Sequence, residues 1–329
     1  MRGLPPFLSP LPLPPYPFLC SLPLPLAPRS FMPSFETFLD PALLTRISDL
    51  PLLARTVVDG FMHGLHRSAK KGLSLDFAEH RQYQPGDDLR RIDWKAYART
   101  DRFYIKEYEA DTNAGVLFAL DVSGSMDYAS GAVNKFAYAR MLVASLAWLT
   151  QRQGDRIGLA TFAGTLQEMI PPSTRHLQLL FHALGRATPV GEGKLPLAID
   201  KVADVANRPG IIVVVTDCYD EPAAIGRSID TLRARGHDVL VFHLLDAAEE
   251  EFPFEAATVF EDGESGLRMP LRPEEVRARY LAMWGAHRAA LEQRFAAGGV
   301  DYIPIRTDEP LDRALYAYLD HRLSRSRVR

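Results

Sequence analysis

The order of apolar and polar positions divides the chain into stretches with different periods. From Phe35 to about Lys70, ETFLDPALLTRISDLPLLARTVVDGFMHGLHRSAK places apolar residues three and four apart, the period of a helix with one buried face. Asp40-Pro41 marks the start, because proline suits the first turn of a helix, and Gly60 and Gly64 weaken the end. Residues 72–113 change period: SLDFAEHRQY and FYIKEYEAD alternate as strands do, with QPGDD as a turn between them. From Gly115 onward, strand and helix patterns take turns. GVLFALDV, DRIGLATFAG, IIVVVTDCYD, HDVLVFHLLD and VDYIPIRTD read as strands, and the run IIVVV fits a strand buried on both faces. NKFAYARMLVASLAWLTQRQG, STRHLQLLFHALGRA, KLPLAIDKVADVANRPG, EPAAIGRSIDTLRARG and EEVRARYLAMWGAHRAALEQRFAAGG read as helices, and EPLDRALYAYLDHRLS closes the chain. Alternating strands and helices with short joints predict an α/β domain: a doubly wound, mostly parallel sheet of the Rossmann-like kind.

The first 33 residues stand apart, with 11 of the 25 prolines and only Arg2 and Arg29 as charges. Proline at this density breaks any helix of bilayer length, so neither a membrane span nor a signal peptide is expected. The expectation is a disordered, polyproline-like tail, or a chain whose natural start is Met32. The predicted organisation is a tail over 1–32, an N-terminal helical and β-rich module over 33–113, and an α/β domain over 114–329.

Composition narrows the function classes. The chain is 47% hydrophobic and 24% charged, with a net charge of −3, which is globular and points to neither nucleic acid nor an anionic membrane. In residues 72–113 the arginines Arg81, Arg90, Arg91, Arg99 and Arg102 are interleaved with acids, which favours internal ion pairs over a nucleic-acid stripe. Cys20 and Cys218 are far apart and form neither a metal pair nor a disulfide framework, so a reducing, cytoplasmic compartment is expected. The histidines are scattered without zinc-motif context.

The candidate chemistry lies in DVSGSM, directly after the strand GVLFAL. Ligands of such sheets sit beyond the carboxyl ends of the strands, where strand order reverses. There Asp121, Ser123 and Ser125 alternate on a loop that Gly124 can bend, so three oxygens can face one point. A carboxylate with hydroxyls and waters suits Mg²⁺ or Mn²⁺ better than zinc. Asp217 follows a second buried strand, and two acids at neighbouring strand ends need a cation between them. Two enzymatic motifs do not hold. GEGK at Gly191–Lys194 lacks the spacing and hydroxyl of a phosphate loop, and Ser123 stands where an aspartyl-phosphate enzyme would carry a second acid.

DVSGSM with Asp217 resembles the metal-ion-dependent adhesion site of von Willebrand factor A domains, in which a threonine from another loop joins an Asp-x-Ser-x-Ser and an Asp. The stretch GLSLDFAEHRQYQPGDDLRRIDWKAYART is similar to the signature of the bacterial family called domain of unknown function 58, whose members carry an A-type domain after it. The resemblance implies that Ser123 and Ser125 bind the metal directly, that Asp121 and Asp217 act mainly through waters, and that a partner's carboxylate supplies the last ligand. The loop expected to carry the threonine reads Val190-Gly191-Glu192-Gly193-Lys194-Leu195, and Thr188 is the nearest hydroxyl. The function implied is a non-enzymatic, Mg²⁺-dependent protein-binding module that partners a MoxR-type AAA+ ATPase in chaperone-like or complex-assembly work. The alternatives are a metal-dependent phosphoryl-cleaving enzyme and a metal-free scaffold, with Lys194 as counter-charge to Asp121 and Asp217.

Overall fold

The computed structural model describes residues 2–3, 40–67, 79–82, 104–107, 114–256 and 258–326. Most of the predicted tail, the QPGDD turn and the arginine-rich stretch of residues 83–103 therefore lie outside the described residues. The strands are β1 (Arg2–Gly3), β2 (Glu79–Gln82), β3 (Tyr104–Glu107), β4 (Gly115–Asp121), β5 (Arg156–Phe162), β6 (Leu166–Ser173), β7 (Ile211–Thr216), β8 (Asp238–Leu245), β9 (Thr258–Glu261), β10 (Arg268–Leu271) and β11 (Asp301–Arg306). The helices are α1 (Pro41–Leu44), α2 (Leu50–Arg67), α3 (Lys135–Arg152), α4 (Leu177–Arg186), α5 (Leu195–Val205), α6 (Pro222–Ala234), α7 (Ala247–Glu251), α8 (Pro273–Gly298) and α9 (Asp312–Ser326).

Six strands form the central sheet in the order β11-β8-β7-β4-β5-β6, all parallel except the β5/β6 pair. The predicted doubly wound α/β architecture is what this order describes: the chain starts at β4 in the middle, moves out to β5 and β6, then returns to build β7, β8 and β11 on the other side. One face carries α2, α3, α4 and α9, where Val57, Phe118, Leu142, Leu180 and Leu315 share a core. The opposite face carries α5, α6 and α8, around Ile199, Ile229, Leu291 and Val214. Burial on both faces is why β7 reads as an unbroken apolar run.

Two departures from the sequence pattern have simple causes. The segment LQEMIPPS forms an antiparallel edge strand, β6, although Pro171 and Pro172 break its pattern. Proline is tolerated there because an edge strand leaves its outer side unpaired. Asp40 does cap α1, accepting a hydrogen bond from the Ala42 N–H at 2.8 Å, but the following helix runs through Gly60 and Gly64 to Arg67. Its packing on α3, through Leu53, Val57 and Phe61, outweighs the roughly 1 kcal/mol that each glycine costs.

A separate small sheet, β1-β9-β10, lies beside the carboxyl end of β8. Arg2–Gly3 pairs in parallel with β9, level with Phe260 and Glu261, and β9 and β10 form a hairpin. Phe252, Phe254, Phe260 and Tyr280 pack under it as their own apolar cluster.

Candidate functional site

β4 and β7 are parallel neighbours with Leu120 level with Val215, so their carboxyl ends bring Asp121 beside Thr216. This is the point where strand order reverses. The Thr216 hydroxyl donates to Asp121 Oδ2 at 2.7 Å, and the Ser123 N–H donates to Asp121 Oδ1 at 2.9 Å. One carboxylate thus ties the end of β7 to the turn of the DVSGSM loop. The Ser123 and Ser125 hydroxyl oxygens are 3.0 Å apart. The loop at residues 188–194 is stitched to this turn by two backbone bonds of 2.8 Å, Val190 N–H to the Val122 carbonyl and Gly124 N–H to the Gly191 carbonyl. Asp217 follows Thr216. The chain turns sharply after it, with Cys218 in the left-handed region at φ 52° and its N–H directed to Thr216 Oγ1.

Asp121, Ser123, Ser125 and Asp217 line one cleft of about 970 Å³. Thr188 is not among its lining residues and is exposed; the threonine that reaches Asp121 is Thr216. Lys194 is also elsewhere, half-exposed and 3.0 Å from Glu192. The expected counter-charge is instead Lys135, the first residue of α3 and fully buried. Its ammonium donates to Asp217 Oδ2 at 2.8 Å, to Glu249 Oε1 at 2.9 Å and to the Tyr219 hydroxyl oxygen at 3.0 Å. All three ammonium protons are therefore used. Glu249 is in turn held by α7: with Asp246 it forms a capping box, and it also accepts the Tyr219 hydroxyl.

Burial and the charge of Asp217 push the Asp121 carboxyl up to about 7, against the hydrogen bonds from Thr216 and Ser123. Burial also raises Glu249, opposed by Lys135. Lys135 itself is raised: burial favours loss of its proton, but Asp217 and Glu249 overcome that. Asp217 and Glu249 thus share one ammonium, with Asp121 beside Asp217 and outside that pairing, and this excess of carboxylates is open to a cation. The Cys218 thiol is buried and pushed well up, chiefly by burial and then by Asp217, so it is held as a thiol rather than the nucleophilic thiolate.

Octahedral Mg²⁺ holds oxygens at about 2.0–2.1 Å, which places adjacent ligand oxygens about 2.9 Å apart. The Ser123–Ser125 pair, at 3.0 Å, fits that separation. Among the described residues, no three His, Cys, Asp or Glu side chains converge as a metal cage. The set is rich in hydroxyls and poor in carboxylates, which is the chemistry of a Mg²⁺ that keeps several waters.

Lys135 and Glu249 were missed on the sequence, though both leave a trace there. Lys135 shares the buried stripe of α3 with Ala139 and Leu142, at four- and seven-residue spacing, and a lysine on an apolar stripe calls for a buried acid. Asp246-x-x-Glu249 carries the capping-box spacing.

A family model described as "Protein of unknown function DUF58" matches residues 79–290. The uncharacterized protein Rv1480 of Mycobacterium tuberculosis (strain ATCC 25618 / H37Rv) is 30% identical over 276 residues, covering 82% of this chain and 86% of that protein. Mb1516 of Mycobacterium bovis has the same values. Similar solved structures include the conserved hypothetical protein BatB from Bacteroides thetaiotaomicron, with a TM-score of 0.44, 18% identity, and coverage of 65% of this chain and 98% of that one. Another is the VWA domain of SpRpn10, with a TM-score of 0.40, 12% identity, and coverage of 61% and 92%.

Proposed function

The chain belongs to the DUF58 family of proteins of unknown function, and from that premise, its doubly wound α/β sheet and its sequence resemblance to von Willebrand factor A domains, we propose that it is a non-enzymatic, Mg²⁺-dependent protein-binding module. In this reading Ser123, Ser125, Asp121 and Asp217 hold the ion at the rim of the sheet, and a carboxylate of a protein partner completes its shell. Mn²⁺ would serve in place of Mg²⁺. The observation that carries the reading is the convergence of two buried acids and two serine hydroxyls at the ends of β4 and β7, with Thr216 bonded to Asp121 at 2.7 Å. Bound there, the ion supplies charge and an open coordination position. The chain's own residues position it: Thr216 and the Ser123 N–H orient the Asp121 carboxylate, and Lys135 orients Asp217.

The reactive groups beside the cleft are occupied, which supports a binding role over a catalytic one. Lys135 spends its protons on Asp217, Glu249 and Tyr219, and Cys218 is held as a thiol. The family resemblance points to a MoxR-type AAA+ ATPase as partner, which would supply nucleotide hydrolysis in the cytoplasm. No helix among the described residues is long and apolar enough to cross a membrane. The test is affinity capture of that ATPase in Mg²⁺ and then in chelator, with wild type, Asp121→Ala and Ser123→Ala/Ser125→Ala. Capture by wild type only, and only with the ion, is expected. Equal capture by all three proteins, or in chelator, would refute the reading.

The Lys135–Asp217 pair favours a second reading, a metal-free scaffold whose acids are balanced internally. Calorimetric titration with Mg²⁺ and Mn²⁺ separates the two: heat and a raised Tm support the ion, and the absence of both supports the scaffold.

A further inference from the structure

The β9/β10 hairpin also reaches the site. The tip of the β9/β10 hairpin lies backbone to backbone against the loop. A Cβ built on Gly124 would stand 2.4 Å from the Gly263 carbonyl oxygen, and one built on Gly263 would stand 3.2 Å from the Gly124 carbonyl oxygen. Only glycine permits that approach. The tip is also internally braced: Asp262 accepts the Glu264 N–H at 3.1 Å and the Ser265 hydroxyl at 2.5 Å.

This docking decides where Glu264 goes. Its carboxylate lies half-buried beside Gly193 and Ser125, close enough for both, and for the charge of Asp217, to act on it electrostatically. A Cβ built on Gly193 would stand 3.0 Å from Glu264 Oε1 and 3.4 Å from Ser123 Oγ. Glu264 therefore fills the space beside Ser123 and Ser125 into which a side chain at position 193 would project. That is the loop where the adhesion-site pattern expects its threonine, and glycine stands there instead. In its ionised form, a carboxylate aimed at a site that already holds Asp121 and Asp217 is unfavourable unless a cation shares it.

We propose that Glu264 is the carboxylate that completes the cation site of the free protein, replacing the missing threonine and holding the position that a partner's carboxylate takes, so that partner docking lifts the hairpin tip from the loop. This rests on the Mg²⁺ reading above. Gly263, Ser265, Gly266 and Leu267 at the tip are exposed, so it can swing outward without opening the apolar cluster beneath the strands.

The experiment uses the full chain and Mn²⁺ alone. Wild type, Glu264→Ala, Glu264→Gln and Ser123→Ala/Ser125→Ala are titrated by calorimetry, with water-proton relaxation of the bound ion and hydrogen exchange across residues 258–271. Thermal melts establish that each variant is folded. Glu264→Ala should bind Mn²⁺ at least about tenfold more weakly, the loss that follows removal of even an outer-shell partner. Its bound ion should relax water faster, because a solvent molecule replaces the carboxylate. Mn²⁺ should slow exchange in the hairpin of wild type but not of Glu264→Ala. Equal affinity, relaxation and exchange in wild type and both Glu264 variants would overturn the role of Glu264 and leave the cation reading standing. Absence of Mn²⁺ binding by wild type would overturn both.

Discussion

Replacing Lys135 by methionine keeps the length of the side chain and removes its charge. The Lys135 side chain is 0% exposed, and those of Asp217 and Glu249 are 4% and 6% exposed. Removing one partner of such a buried pair costs about 3–5 kcal/mol, because the orphaned charge stays out of water. Here one ammonium serves two carboxylates, which places the expected loss toward the upper end. For a domain of this size, about 2–4 °C of Tm is lost per kcal/mol, so the melting point should fall by roughly 6–20 °C. The assay is urea unfolding of wild type and Lys135→Met in EDTA, so that no divalent ion replaces the lost charge. Glu249 is already raised by burial, and without Lys135 it rises further. A raised carboxyl contributes stability that is complete below its unfolded value and is lost as pH climbs through its folded value. The deficit of Lys135→Met should therefore be small near pH 4 and largest at neutral pH. Adding Glu249→Gln to the variant should recover part of the loss, since it removes an orphaned charge. A deficit under about 1 kcal/mol at neutral pH would place the pair in the range of exposed ion pairs and refute the reasoning. So would a deficit that does not shrink in acid.

Asp121, raised from 3.8 to about 7, contributes stability that is fully present below about pH 4 and lost as pH rises through 7. In EDTA, chemical denaturation should show wild type weakening across that window by on the order of 4 kcal/mol, while Asp121→Asn shows a flat profile over the same range. Mg²⁺ should restore wild-type stability above pH 7, because it favours the ionised form. Thr216→Val should cost about 1–3 kcal/mol by equilibrium unfolding, since it leaves Asp121 Oδ2 and the Cys218 N–H without the hydroxyl. Gly124→Ala should expel the hairpin tip, because its Cβ would meet the Gly263 carbonyl at 2.4 Å. Faster hydrogen exchange across residues 258–271, with the central sheet unchanged, is the expected reading.

The fold was largely legible because its signals are local. The apolar run of β7 and the three- and four-residue spacings of α2 and α4 record which faces are buried, whatever they are buried against. β6 was hidden because Pro171 and Pro172 mask an edge strand paired, among the described residues, with β5 alone. The β9/β10 hairpin was hidden because its strands are four residues long and pack on their own small cluster, too short to show a period.

At the site, the sequence by itself determined that Asp121, Ser123, Ser125 and Asp217 stand at strand ends. That follows from where two apolar runs stop and from the rule that parallel sheets present their loops at one rim. Only the tertiary structure decided the electrostatics. Lys135 meets Asp217 across 82 residues and Glu249 across 114, Thr216 takes the contact with Asp121 while Thr188 faces solvent, and Glu264 arrives from a distant hairpin. Burial periodicity is written into each segment separately. Charge pairing depends on which segments meet, and strand order and crossover set that.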